Sequence, residues 1–170
     1  MQAVVLLVAC MDDPKLRLLT QDDRDWLVDQ HRILYARDEG FDDTFATLVA
    51  EIIDTFLATH DPAVERAWIA EQDGLRLGSV FCVKLDEKTA QLRLFLLVPE
   101  ARGKGLGKSL LRNCMAYAKD KGYSGMRLWT HRSHEAACRL YQDFGWQCID
   151  AKPDRHFGQD VVVETYTYDF

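Results

Sequence analysis

Apolar residues recur along this chain with two periods, and their succession lays out the elements. Leu16 to Leu19 predicts a short strand, and Asp22 or Asp23 caps a helix running to about Ala36. Asp42 or Asp43 caps a second helix to about Thr59, in which Phe45, Leu48, Val49, Ile52, Ile53 and Phe56 form a 3.6-period stripe. Pro62 stops it. A meander follows: Ala67 to Ala70, the turn Asp73-Gly74, Gly78 to Lys84, then the long strand Ala90 to Val98. Beyond Pro99 a glycine-rich turn leads into a helix from Gly105 to Lys121. A strand over Met126–Thr130, a helix over Ser133–Phe144, and strands over Trp146–Ala151 and Val161–Tyr168 complete the order. This is a mixed α/β succession, neither a regular alternation nor a sandwich.

With 170 residues, no internal repeat and no linker-like stretch, residues 1–170 read as a single domain with residues 1–14 as an N-terminal arm. Leu7-Val8-Ala9-Cys10 looks a little like a lipoprotein cleavage site. However, no cationic segment precedes it and the apolar run is too short for a signal peptide. No stretch approaches a membrane span, so the expectation is a cytoplasmic protein with no membrane partner. The five cysteines have no CxxC spacing and are read as buried free thiols. No His, Cys and carboxylate set has metal-ligand spacing, so no metal is expected.

Net charge is −6, but residues 101–134 carry +7, leaving −13 on the remainder. A nucleic-acid binder spreads its cations along a backbone, whereas a small polyanion needs one patch. The charge map favours a phosphorylated small ligand and no nucleic acid.

That patch coincides with the strongest local motif, Val98 through Ser109, where a strand ends, glycines bend the chain and an amphipathic helix begins. Backbone N–H groups converging at a helix N-terminus make a pyrophosphate cradle. A P-loop would need glycine where Arg102 stands, and a dinucleotide fingerprint needs GxGxxG where Gly103, Gly105 and Gly107 give GxGxG. The template that fits is Arg-x-x-Gly-x-Gly, from Arg102 to Gly107.

Here the chain resembles the GNAT N-acetyltransferase superfamily, whose coenzyme A loop has this pattern. A second signature, Ala137-x-x-x-Tyr141-x-x-x-Gly145-Trp146, is similar to the family's Asn-x-x-Ala-x-x-x-Tyr-x-x-x-Gly-Phe, with His134 in place of Asn and Trp146 in place of Phe. His31-Arg32-x-Leu34-Tyr35, Trp68 to Gly74, Gly78 to Phe81, Leu128-Trp129-Thr130 and Phe157-Gly158 resemble the GNAT domain fused to MarR-type regulators, here stand-alone. The resemblance implies a mixed, mostly antiparallel seven-stranded sheet flanked by about four helices. It also implies acetyl-CoA as cosubstrate and acetyl transfer to the primary amine of a small molecule.

It further implies roles for particular residues. Cofactor contacts fall on Leu96, Val98, Arg102, Gly103, Lys104, Gly105, Leu106, Gly107, Lys108, His134, Ala137 and Tyr141. A backbone N–H near Leu96 or Leu97, with Leu97 the named candidate, would stabilise the oxyanion, and Tyr141 would protonate the leaving thiolate. Core packing explains Tyr141 as well, four residues from Ala137; its motif position selects the functional role. His31, Tyr35, Phe41, Trp129 and His156 are the acceptor-site candidates, although helix-surface or core roles account for His31, His134 and the aromatics too. The strand Ala90–Val98 holds no carboxylate, so the base is Glu39, Asp42, Glu135, His156, Glu164 or a water chain. The missing strand carboxylate and the regulator kinship leave one alternative open, a non-catalytic acyl-CoA sensor. Pairing of C-terminal edge strands into a homodimer is also left open.

Overall fold

A computed structural model describes residues 13–170. All seven described strands form one sheet in the order β1-β2-β3-β4-β5-β7-β6. They are β1 (Lys15–Leu18), β2 (Arg66–Gln72), β3 (Leu75–Lys84), β4 (Thr89–Leu97), β5 (Gly125–His131), β6 (Gln147–His156) and β7 (Gln159–Asp169). Every neighbouring pair is antiparallel except β4 with β5. The four helices are α1 (Arg24–Glu39), α2 (Asp43–Thr59), α3 (Leu106–Asp120) and α4 (Glu135–Asp143). The expected N-terminal arm lies outside the described residues over 1–12. No described helix is long and apolar enough to cross a membrane.

Strand alternation divides the core between two faces. Leu27, Val49, Ile53 and Phe56 of α1 and α2 pack on Ala67, Ile69 and Phe81. On the other face Leu110, Leu111, Cys114 and Ala118 of α3 meet Val80, Leu92, Met126 and Leu128, and Tyr141 and Trp146 join them. Three of the four described cysteines are buried free thiols as expected; Cys148 corrects that reading, because it sits exposed on the edge strand β6.

Two of the boundaries that differ from the sequence expectation shape the site. Helix α1 continues one turn past Ala36 and ends where Gly40, at φ 70°, takes the left-handed cap. Strand β6 runs on to His156 through Pro153, which an edge strand tolerates because one side of its backbone has no ladder to complete. The mostly exposed, polar β6 gives no apolar alternation to read. Its turn Phe157-Gly158, with φ 51° and 79°, touches the α1–α2 loop: Asp42 N–H donates to the Phe157 carbonyl at 3.0 Å, and Gln159 Nε2 to the Gly40 carbonyl at 3.0 Å.

Asp23 ties α1 to β1 and β3. Fully buried, its carboxylate accepts two bonds from Arg17 at 2.8 Å, one from Arg76 Nε at 2.8 Å and one from the Thr20 amide at 2.8 Å. Burial alone would raise its pKa; the two guanidiniums and Thr20 overcome this and hold it far below the ordinary carboxylate value. A depressed folded pKa contributes stability that is complete above about pH 4, the unfolded value, and is lost as pH falls. Asp23→Asn leaves two arginines facing a neutral amide and is expected to cost about 3 kcal/mol in urea unfolding at pH 7. The difference from wild type should shrink in melts at pH 3.

Candidate functional site

The β4–β5 ladder holds only from Thr89↔Gly125 to Gln91↔Arg127. Beyond Gln91 the two parallel strands part. The β3–β4 register slips between Ser79 and Phe81, and Leu94 takes φ 44°, a left-handed backbone in a β-bulge. Fully buried Ser79 secures the bulge by donating Oγ–H to the Leu94 carbonyl at 2.7 Å. Gly78 lets β3 lie against it, since a Cβ there would stand 2.4 Å from the Leu96 carbonyl oxygen.

A cavity of about 940 Å³ adjoins the parted strand ends. Its wall includes Phe95, Leu96 and Leu97 of β4, Arg102, Gly103, Gly105, Gly107 and Lys108 around the turn, Ser133 to Ala137 at the start of α4, and Tyr35, Asp38 and Glu39 at the end of α1. Helix α3 makes its first intrahelical bond from Ser109 N–H to the Gly105 carbonyl at 3.1 Å. The amides of Leu106, Gly107 and Lys108 therefore have no helical acceptor and carry the positive end of the helix dipole. Gly103 and Gly105, at φ 73° and 83°, provide the left-handed turns of this bend. Gly107 keeps the wall thin: a Cβ would lie 3.2 Å from Leu97 Cδ1.

Backbone alternation fixes which β4 amides face the opening. Val98 N–H donates to the Leu77 carbonyl at 2.9 Å, and the Val98 carbonyl accepts from Ala101. With Gly78↔Leu97 and Ser79↔Leu96 as partners, Leu96 also bonds toward β3, whereas Leu97 N–H points away from it. The Leu97 carbonyl likewise turns outward and accepts from Arg102 Nε at 3.2 Å.

These observations correct part of the sequence reading. Val98 has both backbone groups occupied and a buried side chain, so it offers a ligand nothing. Leu96 contributes side-chain surface rather than an N–H. Arg102, Gly103, Gly105, Gly107, Lys108, His134 and Ala137 line the cavity, as does Leu97. Lys104 lies exposed on the turn beside it, and Leu106 turns its side chain into the core, leaving only its amide at the cavity end. Tyr141 is 4% exposed, one layer behind the wall among Phe95, Trp146 and Tyr166. Burial pushes its phenol well above the ordinary value, so it stays protonated.

Of the acceptor-site candidates, Tyr35 lines the cavity and the others do not. His31 is a core residue, its Nδ1 2.7 Å from the Leu27 carbonyl, and burial lowers its pKa to about 4. Phe41 is buried in an aromatic cluster with Phe45 and Phe157 behind Tyr35. Trp129 is exposed on the sheet face away from α3 and α4, opposite in sense to buried Leu128. His156 lies on the hairpin beyond the cavity.

The candidate bases sort in the same way. Asp42 caps α2 by accepting from the Thr44 amide at 3.0 Å. Glu164 is buried beside Cys138 of α4, outside the cavity lining, accepting from Arg132 at 2.8 Å and Tyr166 at 3.0 Å. Glu135 is on the cavity rim and exposed. Glu39 is in the wall, its Oε1 3.2 Å from His134 Nε2, although the approach is too oblique for a hydrogen bond. Burial lowers the His134 pKa against the opposing pull of Glu39 and Asp38. Burial, reinforced by Glu39, raises Tyr35 to about 12. The extra turn of α1 brings Asp38 and Glu39 here; read as loop, they had no face assigned. Glu39→Gln is expected to lower the His134 pKa further, read from its ring resonances in an NMR titration. An unmoved or raised value would show that the carboxylate does not act on the imidazole.

Residues 23–146 match the Acetyltransferase (GNAT) family. The chain is 33% identical over 104 residues to N-acetyltransferase family 8 member 2 of Rattus norvegicus, a match covering 58% of this chain and 44% of that protein. It thus spans about half the length of the curated relatives it matches. The fold is similar to that of yncA from Salmonella typhimurium with its cofactor acetyl-CoA (TM-score 0.72, 15% identity, 93% of this chain and 94% of that one). It is also similar to spermidine N-acetyltransferase from Vibrio cholerae in complex with CoA and spermine (TM-score 0.71, 18% identity, 92% and 95%). At these identities the structural likeness is one of fold.

Proposed function

Since the chain belongs to the acetyltransferase (GNAT) family, we propose that it moves an acetyl group from acetyl-CoA to the primary amine of a small molecule. The observation that carries this reading is the coincidence of two features on one cavity. A cationic, glycine-bent helix N-terminus stands at one end, and the outward-facing Leu97 amide at the parted strands stands beside it. The first suits a diphosphate; the second suits the oxyanion of a tetrahedral intermediate.

In this mechanism the free amides of Leu106, Gly107 and Lys108 take the pyrophosphate, with the Arg102, Lys104 and Lys108 side chains around it. The acyl-pantetheine arm runs along the exposed edge of β4. The amine attacks the thioester carbonyl, and Leu97 N–H stabilises the developing oxyanion, a kind of contact worth about 3 kcal/mol. The ammonium form of such an amine, with a pKa of about 10, must first lose a proton, and Glu39 and His134 are the groups in the wall that take it. Collapse expels the CoA thiolate, whose proton comes from the protonated Tyr141 phenol once that side chain turns from the layer behind the wall toward the cavity. Tyr35 and the aromatic cluster behind it form the apolar side of the acceptor site.

Supplying acetyl-CoA with a panel of polyamines, arylalkylamines and amino acids, and following thiol release, tests the reading directly. Binding of the cofactor with no turnover on any amine would overturn it. Gly105→Val forces a β-branched residue to φ 83° and is expected to weaken acetyl-CoA binding by at least about tenfold in calorimetry. Retained affinity would displace the diphosphate from this turn. Tyr141→Phe should lower kcat by about 10²-fold with cofactor affinity unchanged. An unchanged kcat would return Tyr141 to the core.

A further inference from the structure

A line of three histidines runs from the cavity wall to the protein surface. His134 of the wall and His131 at the end of β5 have ring centroids 5.4 Å apart, within reach directly or through one water molecule. His131 Nε2 lies 3.1 Å from His156 Nδ1 on β6, and His156 Nε2 lies 2.9 Å from Asp154 Oδ2. The Asp154 carboxylate is 58% exposed. His131 packs edge-on to Phe41, and its Nδ1 is buried with no hydrogen-bond partner among the described residues.

The acceptor at the far end fixes the tautomers of His156 and His131. A carboxylate only accepts, so His156 Nε2 carries a hydrogen and donates it to Asp154. Neutral His156 then has a bare Nδ1, which must accept from His131 Nε2–H. Neutral His131 is thereby left with a lone pair on Nδ1, the atom the fold buries without a donor. A carboxylate at the surface thus prepares a base in the interior two residues away in the hydrogen-bond chain.

We propose that His131, His156 and Asp154 form a relay that carries the acceptor amine's proton from the Glu39–His134 end of the cavity to solvent. The proposal rests on the acetyl-transfer reading. The proton arriving at His131 Nδ1 is matched by departure of the Nε2 hydrogen to His156 Nδ1, and of the His156 Nε2 hydrogen to Asp154 and water. No bond other than N–H and O–H changes. His131 does not retain the charge, since burial together with His134 and His156 lowers its pKa to about 4. The groups that bear on it are His134 with Glu39 on one side, and His156 with Asp154 on the other.

In sequence His156 offers only an acceptor contact or a lone base, and His131 belongs to no motif. The β6–β7 hairpin pairing that joins them is invisible in a polar edge strand.

Long-range proton–nitrogen NMR on the intact resting protein tests the wiring without turnover. Bare Nδ1 with protonated Nε2 is expected on both His131 and His156; an Nδ1-protonated His131 would overturn the relay while leaving acetyl transfer standing. Kinetics test its use. His156→Ala and the surface change Asp154→Asn should each lower kcat by about tenfold or more near neutral pH, with KM for acetyl-CoA unchanged. Added imidazole should restore His156→Ala, whose site is open to solvent. Unchanged kcat in both variants, or a loss that imidazole does not relieve while the variant remains folded by circular dichroism, would refute it. If wild type releases no thiol with any amine, the acetyl-transfer reading fails and the catalytic relay falls with it.

Discussion

The cavity exists because two parallel strands stop pairing. A parallel ladder has no inherent reason to end at Gln91 and Arg127, so something must hold β4 and β5 apart. Part of the answer lies on the other side of β4, where the bulge at Leu94 shifts the backbone relative to β3. A non-glycine residue at φ 44° costs of order 1 kcal/mol, and the Ser79 hydroxyl offsets some of it by satisfying the Leu94 carbonyl. Gly78 completes the accommodation by leaving room for the Leu96 carbonyl. Three small adjustments on β3 and β4 thus place an unpaired amide, Leu97, where a sheet would otherwise consume it.

Charge is arranged around that opening in two opposed ways. At the α3 end, Lys104, Lys108 and the helix dipole sit on an exposed turn, where attraction to a polyanion is screened but nothing must be desolvated. At the α1–α4 end, Glu39, His134 and Tyr35 are drawn inside, where burial sets the protonation of the imidazole and the phenol. Arg102 bridges the two regions, bonded to the Leu97 carbonyl and 3.9 Å from Asp38. The first region suits binding and the second proton transfer, and the protein needs no single residue to do both.

Local sequence signals reported the cationic region well and the buried one poorly. The glycines of 103–107 and the cation excess around them are contiguous, so their gathering at one helix start was legible before any fold was known. The order of strands and helices was legible for the same reason, since β2 to β5 and α2 to α4 each carry a clean period. The buried cluster draws on α1, β5, α4 and the hairpin, and no window of sequence contains it. Expecting backbone bonds to the cofactor from Leu96 and Val98 fails on a parity question. Which alternate amides face β3 depends on the register after the bulge, and a bulge leaves no compositional mark in Leu-Phe-Leu-Leu-Val. His31 misled for a plainer reason: a histidine on a helix beside aromatic residues looks the same whether it faces a ligand or bonds the carbonyl four residues back.

The contact between Gln159 and the Gly40 carbonyl spans 119 positions of chain. During synthesis on a ribosome, helices α1 and α2 emerge long before the hairpin that braces the loop between them. Until residue 159 is released, that loop lacks the hydrogen bonds it takes from the hairpin. Contacts of such sequence separation form late and slowly, so the α1–α4 half of the cavity should be the last part of the protein to mature.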